Sequence, residues 1–580
     1  MTPRPPHDPR AGITSALERV LAELGVAGAE VRLERPRDPS HGDWATSVAL
    51  GLARQLRRPP REIAEEIAAR LDLAGTGATT VEVAGPGFLN FQLGAAAITE
   101  QLARVVAEDE SYGRSASGAG ERVIVEWVSA NPTGPLHLGH GRQAALGDVI
   151  CALLSSTGWI VHREFYYNDT GTQMEMLARS VQARYHQVLG RVGDVPEGGY
   201  RGEYVLELAR EFHTEVGNRY EADDAQHALD AFRRFAVRML RAEQDSDLAE
   251  FRVHFDSYYL ESSLYDDGKV AATIAGLRDS GLVYEDDGAI WLRTTRFGDD
   301  KDRVMTRRDG TPTYFLLDVA YHVTKWERGF RKAVNVQGSD HHGTIPRVRA
   351  GLRALGYPDG WPEWVLHQMV RLEQGGHEVK FSKRAGSHTT LRELFELVGV
   401  DVARYFFLMR KPEAHQVFDL DEALDQSEKN PLYKIQYAHA RMCSIFAKAG
   451  GDESAAALAG GRGHADLELL THQSELALVR ALVEFPEVVE RAAAARAPHL
   501  LCDYLEQTAG TINSWYHAGN PTRNPELAVL VTDPQLRAAR LVLAHAVRVV
   551  LRNGLRILNV SAPVRMERAL EELVAPPAAP

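Results

Sequence analysis

The sequence predicts three consecutive units: a small α/β domain, a larger α/β domain built on a mostly parallel sheet, and an all-helical bundle. Three observations predict this. Between Val123 and about Pro412, short apolar runs alternate with longer helical stretches, the pattern of strands joined by crossover helices. Beyond Asp419 strand signals nearly vanish and alanine, leucine, glutamate and arginine dominate, as in a helix bundle. A chain of 580 residues and 64.1 kDa has room for three or four domains.

Taken in order, the N-terminal unit has helical periodicity near Ile13 to Leu24, through Trp44 to Leu56 and from Glu62 to Leu71, then strand-like Thr79 to Val83 and Gly87 to Leu93. The segment GRSASGAGER, Gly113 to Arg122, is small, polar and glycine-rich and reads as a flexible link. In the middle unit VIVEWV, AIWLRTT, TYFLLDVAYHV and KAVNVQG are the expected sheet segments. Arg179 to Glu250 carries helical patterning and many charges, so residues 179–260 or so form a helical insertion. Domains of 1–115, 116–415 and 416–580 follow. Gly450 to Asp466 is a low-complexity loop inside the bundle.

Composition narrows the classes. With 44% hydrophobic and 25% charged residues, wholesale disorder is excluded. Cys151, Cys443 and Cys502 are too dispersed for a CxxC site and too few for a disulfide scaffold, so a reducing cytoplasm is expected. MTPRPPHDPRAG lacks an apolar stretch behind it, and no uncharged run reaches bilayer length, so a soluble chain without a signal peptide is expected. The net charge of −13 argues against nonspecific coating of nucleic acid but allows a local basic face. Only 10 lysines occur, none before Lys269, so lysine is kept where arginine fails.

Two segments carry chemistry. Ile124 to Ile150 reads as a buried strand, a Pro/Gly loop and a helix opening near Gly139, with His137 and His140 flanking the helix start. A helix N-terminus with imidazole donors suits phosphate, and glycine at 139 lets a flat base approach the backbone. The second is EVKFSKRAG, Glu378 to Gly386, after Gly375 and Gly376. Lys380 and Lys383 on a flexible loop would neutralise a leaving pyrophosphate, although a solvated charge run reads the same way. Neither is specific alone. There is no P-loop, no HExxH and no nucleophile triad, so catalysis by positioning and charge neutralisation is expected.

In this order on one α/β core, the two segments resemble the HIGH and KMSKS signatures of class I aminoacyl-tRNA synthetases, with Leu138 and Phe381 at the variable apolar positions. The context SANPTGPLHLGHGR, YYNDTGTQ, TYFLLDVAYH, GSDHHG and QYAHAR is similar to arginyl-tRNA synthetases. GDWATSVALGLAR, AGPGFLNFQL and RILNVSAPVRM extend the resemblance nearly end to end. The resemblance implies a Rossmann-like catalytic core, an N-terminal α+β domain that reads the tRNA D-loop, and an anticodon-binding bundle. It implies ATP and Mg2+, L-arginine and tRNA(Arg), with tRNA needed even for activation, and a cytoplasmic monomer without a resident metal or membrane. ATP would be held by His137, Gly139, His140, Asp340, His341, His342, Lys380, Phe381, Ser382 and Lys383. Adjacent histidines are also common as hydrogen-bonded loop residues. Another class I specificity, or a catalytically silent tRNA-binding paralogue, are the alternatives.

A guanidinium never deprotonates and binds best to carboxylates that accept two parallel bonds. Glu126 in an apolar strand and Asp318 within FLLDVA are costly to bury without a cation, either a substrate or an internal base. By resemblance Glu126, Asn131, Tyr314 and Asp318 line the arginine pocket, with Ser129, His137 and Asp340 beside them. For tRNA the candidates are Gln436, Tyr437 and Arg441, which with His439 share one helix, and Arg548, Arg552 and Arg556, spaced four apart on one helix face. A packed tyrosine and a solvated arginine stripe are the plain readings; a stripe on the domain resembling an anticodon binder suits a phosphate backbone.

Overall fold

The computed structural model describes residues 9–36, 38–169, 171–221, 226–379, 389–450 and 465–566. The N-terminal unit opens with α1 (Pro9–Glu23), whose Ile13, Leu17, Val20 and Leu21 fall on one face and are buried. β1 (Trp44–Thr46), α2 (Val48–Leu56), α3 (Pro60–Arg70), β2 (Ala78–Ala84), β3 (Phe88–Leu93) and α4 (Ala95–Glu108) follow. The strands form an antiparallel sheet in the order β1-β3-β2. Trp44 lies in a strand opposite Phe91 and the helix starts only at Val48, so the helical periodicity through Trp44 spans two elements. The Gly113 to Arg122 segment is not a free link. Its amides at Ser115, Gly118 and Gly120 donate to the carbonyls of Ser156, Thr157 and Gly158 at 2.9, 2.7 and 3.0 Å, which ties it to the core domain.

The core domain runs β4 (Arg122–Glu126), α5 (Leu138–Ser156), β5 (Ile160–Tyr167), α6 (Thr172–Val188), α7 (Glu203–Val216), α8 (Gln226–Glu250), β6 (Ser257–Leu260), α9 (Glu261–Asp266) and α10 (Lys269–Asp279). It continues with β7 (Val283–Asp286), β8 (Ala289–Leu292), β9 (Arg303–Thr306), α11 (Tyr314–Glu327), β10 (Lys332–Gly338), α12 (Ile345–Ala354) and β11 (Glu363–His367). Five strands form an all-parallel sheet in the order β11-β10-β4-β5-β6. The chain order reverses between β4 and β10, and at such a switch point the crevice outside the carboxyl ends of the strands receives ligands.

Two expected sheet segments lie elsewhere. AIWLRTT supplies β8 of a separate antiparallel sheet, β7-β8-β9. TYFLLDVAYHV is α11: Phe315, Leu316, Val319 and Ala320 are buried at helical spacing, and in a short apolar run periodicity separates a buried strand poorly from a buried helix. The insertion comprises α6, α7 and α8, packed around Leu177, Tyr185, Phe212, Phe232 and Leu240.

Next come β12 (Val370–Gln374), β13 (His377–Glu378), α13 (Leu391–Val398), α14 (Val400–Leu408), β14 (Gln416–Asp419) and α15 (Leu420–Leu424). The bundle holds α16 (Pro431–Lys448), α17 (Gln473–Val483), α18 (Phe485–Ala495), α19 (His499–Ala518) and α20 (Pro534–Ile557). α16 and α20 each begin with a side-chain cap, Asn430 and Asp533, followed by proline at the first helical position. α4, which carried no distinct sequence signal, packs on α17 and α20 and joins the N-terminal unit to the bundle. No helix among the described residues is long and apolar enough to cross a membrane.

Candidate active site

The site is built at the end of β4. After Glu126 the chain turns through Val128 (φ 64°) and Ser129 (φ 42°), and the Ser129 amide donates to the Trp127 carbonyl at 2.9 Å. A β-branched valine there costs about 1–3 kcal/mol, and such strain persists only where the surroundings over-determine it. Trp127 is fully buried beneath α5; a Cβ on Gly147 would stand 2.2 Å from its indole, so only glycine lets the helix seat on that ring. The insertion braces the loop that follows. Gln244 of α8 donates to the Asn131 and Gly134 carbonyls at 3.1 and 2.9 Å, and the Tyr204 hydroxyl of α7 donates to the Thr133 carbonyl at 2.8 Å.

His137 caps α5. Its Nδ1 accepts from the amides of Gly139 and His140 at 3.1 and 3.4 Å, while His140 Nδ1 accepts from the His137 amide at 3.3 Å. The first amides of the helix are thus already satisfied, which corrects the expectation that they face a phosphate. The two imidazoles stack 3.7 Å apart, and because His140 accepts at Nδ1 its neutral tautomer carries the proton on Nε2, as a donor. Burial, with His137 and His367 nearby, pushes His140 well below the usual histidine range and keeps it neutral. Gly139 makes room for this pair: a Cβ would stand 2.9 Å from His137 Cε1.

Lys380, Phe381, Ser382 and Lys383 lie outside the described residues. The segments on either side are placed. The Val379 amide donates to the Leu372 carbonyl at 2.9 Å, beside the β12–β13 hairpin, and the Leu391 amide donates to the Leu136 carbonyl at 2.7 Å, where Thr390 bridges His137. Asp340, His341 and His342 form an exposed turn after β10, with His341 Nε2 3.7 Å from Asp340 Oδ2. His367, at the end of β11, escaped the sequence reading. It is buried, its Nε2 has no hydrogen-bond partner among the described residues, and burial followed by Arg142 pushes it down to about 4. No local pattern marks it.

Beyond the imidazoles lies an acidic cluster. Asp318 sits on α11 and not in the sheet. Glu126, in the sheet, has an internal base: Lys325 Nζ donates to its Oε2 at 2.6 Å, both side chains being buried. Of the two cations open to Glu126, a substrate or an internal base, that oxygen has the internal one, a fully buried lysine 199 residues away. Ser129 Oγ donates to Glu126 Oε1 at 3.0 Å. Glu261 of α9 accepts from the Tyr166 hydroxyl at 2.7 Å. The half-buried Asp318 carboxylate has no hydrogen-bond partner among the described residues, and burial, followed by Glu126 and Glu261, pushes it up to about 7. Tyr314, one turn before it, is 61% exposed, and Asn131 Nδ2 donates to Gln173 Oε1 at 2.6 Å. Tyr166, Glu261 and Lys325 belong to this cluster by folding alone.

The tRNA candidates have internal partners. Gln436 donates to the Ser561 carbonyl at 2.9 Å. Arg441, 9% exposed, donates to Asn513 Oδ1 at 2.7 Å and lies against the Tyr437 and Tyr516 rings. Tyr437 stacks on Tyr433. In the arginine stripe Arg548 lies over Phe446, Arg552 pairs with Asp109 at 2.6 Å, and Arg556 stands 3.6 Å from Glu110. Arg552 and Arg556 thus reach the turn after α4, with both side chains still partly exposed.

Known proteins match this chain along nearly its whole length. Residues 10–93 match the model for the arginyl tRNA synthetase N terminal domain, 101–438 that for tRNA synthetases class I (R), catalytic domain, and 435–566 that for the DALR anticodon binding domain. An arginine–tRNA ligase of Thiobacillus denitrificans is 49% identical over 563 residues, 96% of this chain and 98% of that protein. One from Bordetella petrii is 50% identical over 568 residues, again 96% and 98%. The solved arginyl-tRNA synthetase of Thermus thermophilus superposes with a TM-score of 0.75 at 25% identity, covering 96% of this chain and 100% of that one. With all three parts matched in order, the chain belongs to the arginyl-tRNA synthetase family.

Proposed function

We propose that this chain is an arginine–tRNA ligase, acting as a cytoplasmic monomer, that binds ATP at the His137–His140 turn and arginine in the acidic cluster beyond it. The observation that carries the reading is Asp318: an unpartnered carboxylate beside Glu126 and Glu261, next to a paired-imidazole helix cap at the switch point of a parallel sheet. A carboxylate in that setting is relieved by a proton or by a cation, and among cations a planar fork of donors fills it better than an ammonium. Lysine would leave buried carboxylate oxygens unpaired and is rejected on that ground. Tyr314, exposed one turn before Asp318, and Asn131 are read as further contacts of the substrate.

The arginine carboxylate attacks the α-phosphorus of ATP, the bond to the β-phosphate oxygen breaks, and pyrophosphate leaves. The His140 Nε2–H donor faces the charge that develops on phosphate, with Lys380 and Lys383 neutralising the leaving group. The 2′-hydroxyl of the terminal tRNA adenosine then attacks the arginyl carbonyl, and AMP departs. No protein nucleophile is needed; the chain supplies position and charge. The described residues bring no three carboxylate, histidine or cysteine side chains together that would hold a metal ion. Magnesium is read as accompanying the nucleotide substrate, where it would neutralise phosphate charge. Asp340, His341 and His342, on the turn after β10, are read as further nucleotide contacts, and the N-terminal unit and the bundle as the parts that hold tRNA(Arg) at its D-loop and anticodon.

The test is ATP–pyrophosphate exchange with purified tRNA present and single amino acids supplied in turn. Arginine alone gives exchange if the reading is right; a signal with glutamine, cysteine or lysine in its place overturns it.

A further inference from the structure

Lys325 is fully buried in α11 and touches none of the reacting atoms. Its Nζ donates to Glu126 Oε2 at 2.6 Å and to Asn335 Oδ1 at 2.7 Å, and lies 4.4 Å from the centre of the Tyr321 ring. Asn335 of β10 donates through Nδ2 to His322 Nε2 at 2.9 Å, and His322 Nδ1 donates to the Asp318 carbonyl oxygen at 2.7 Å. Every bond in this chain has one direction, since a neutral His322 protonated on Nδ1 must accept at Nε2. It ties the carboxylate of Glu126 on β4 to the backbone of Asp318 on α11 through β10.

Charge then decides what the pocket has to offer. Lys325 occupies one oxygen of Glu126, the Ser129 hydroxyl the other, and the Tyr166 hydroxyl is bound to Glu261; the Asp318 carboxylate stays open. We propose that Lys325 is a positioning and specificity-determining residue for the amino-acid substrate: by holding Glu126 it leaves one open carboxylate, Asp318, set for one guanidinium. This rests on the arginine-pocket reading above.

Asp318 is faced by Glu126 from β4, Tyr166 from β5, Glu261 from α9, Arg347 from α12, and Lys325 and His322 from its own helix. Of these only Lys325 and Arg347 favour its ionised form. Remove Lys325, and Glu126 and Asp318 become neighbouring like charges that retain a proton to higher pH. Arginine then has to displace that proton.

The experiment follows the KM for arginine from pH 6 to 9 in tRNA aminoacylation, together with the KM for ATP and thermal unfolding. For Lys325→Met the arginine KM at pH 7.5 rises about tenfold or more, its acid limb moves to higher pH, and the KM for ATP stays within about threefold. Lys325→Arg keeps the limb at the wild-type position. Should Lys325→Met not fold, Lys325→Gln, which retains a donor without the charge, gives the same alkaline shift. An unmoved limb in the neutral variant, or equal losses toward arginine and ATP, overturns the proposal. Asp318→Asn separates the two levels. If it leaves the arginine KM unchanged the pocket reading itself fails; if it raises KM while Lys325→Met does not, the role of Lys325 alone fails.

Discussion

The nucleotide end and the amino-acid end of the site are built by opposite means. His137, Gly139 and His140 lie within four residues, and one helix start sets their geometry: each imidazole takes a backbone amide of the other's segment, and glycine opens the space they stack in. The acidic cluster draws on β4, β5, α9, α11 and, through Asn335, β10, with Glu126 and Lys325 separated by 199 residues. A local device is rigid by its own bonds. A non-local one is only as well placed as the sheet and helices that carry it, so the two ends should fail differently when cut.

The largest effect is expected at the local end. His140→Ala removes an Nε2–H donor and half of the reciprocal cap, and the adenylation rate should fall about 100- to 1,000-fold, as for loss of one donor to developing charge. Single-turnover activation with saturating arginine reads this, and a loss confined to the arginine KM would erase the contrast between the ends. Next is Asp318→Asn, which keeps shape and removes the open charge. The arginine KM should rise about 30- to 100-fold with kcat and the ATP KM little changed, the scale of one or two charge-assisted hydrogen bonds.

The two ends were not equally legible. The histidine pair, its place after a strand and its glycine could be read from the sequence because a cap is a contact between residues two or three apart. What the cap does with the first amides could not, since it depends on which ring nitrogen accepts. Glu126 and Asp318 were visible as acids in apolar runs, but Lys325, the base that satisfies Glu126, announces nothing: it sits one turn from a helix end, as many solvated lysines do. TYFLLDVAYHV, which carries Asp318, reads as a strand because it is too short and too apolar for periodicity to decide. Trp44 reads as helical for the converse reason, a strand of three residues merging into the helix after it.

The pH dependence follows from the same asymmetry and ranks third. Asp318, pushed up to about 7 by burial and by the neighbouring Glu126 and Glu261, must be ionised to take a guanidinium. Arginine kcat/KM should therefore fall about tenfold per unit below pH 7 and level off above it. The stability sign is opposite. A carboxylate whose folded value is raised contributes stability that is fully present below its unfolded value and lost as pH rises through the folded one. The free protein should thus lose thermal stability between about pH 4 and 7. Arginine removes that loss, so its stabilising effect in thermal unfolding should be greater at pH 8 than at pH 6. Asp318→Asn should flatten both profiles; an unaltered acid limb there would assign the titration to another group.

The smallest effect tests whether the arginine stripe is an internal clamp. Arg552 and Asp109 are both partly exposed, 34% and 48% at the side chain, so solvent screens the pair and its coupling should be about 0.5 kcal/mol in a double-mutant cycle of Arg552→Ala and Asp109→Ala. The informative measurement is tRNA affinity against salt. If Arg552 chiefly docks the turn after α4, both single variants loosen that joint, shift tRNA binding in the same direction and leave the salt slope unchanged. If Arg552 instead leaves Asp109 for a phosphate, Arg552→Ala weakens binding and lowers the slope by about one unit. Asp109→Ala, by freeing a guanidinium, would then strengthen it. Opposite signs in the two variants would move Arg552 from the clamp to the nucleic-acid face, a residue whose partner changes when tRNA arrives.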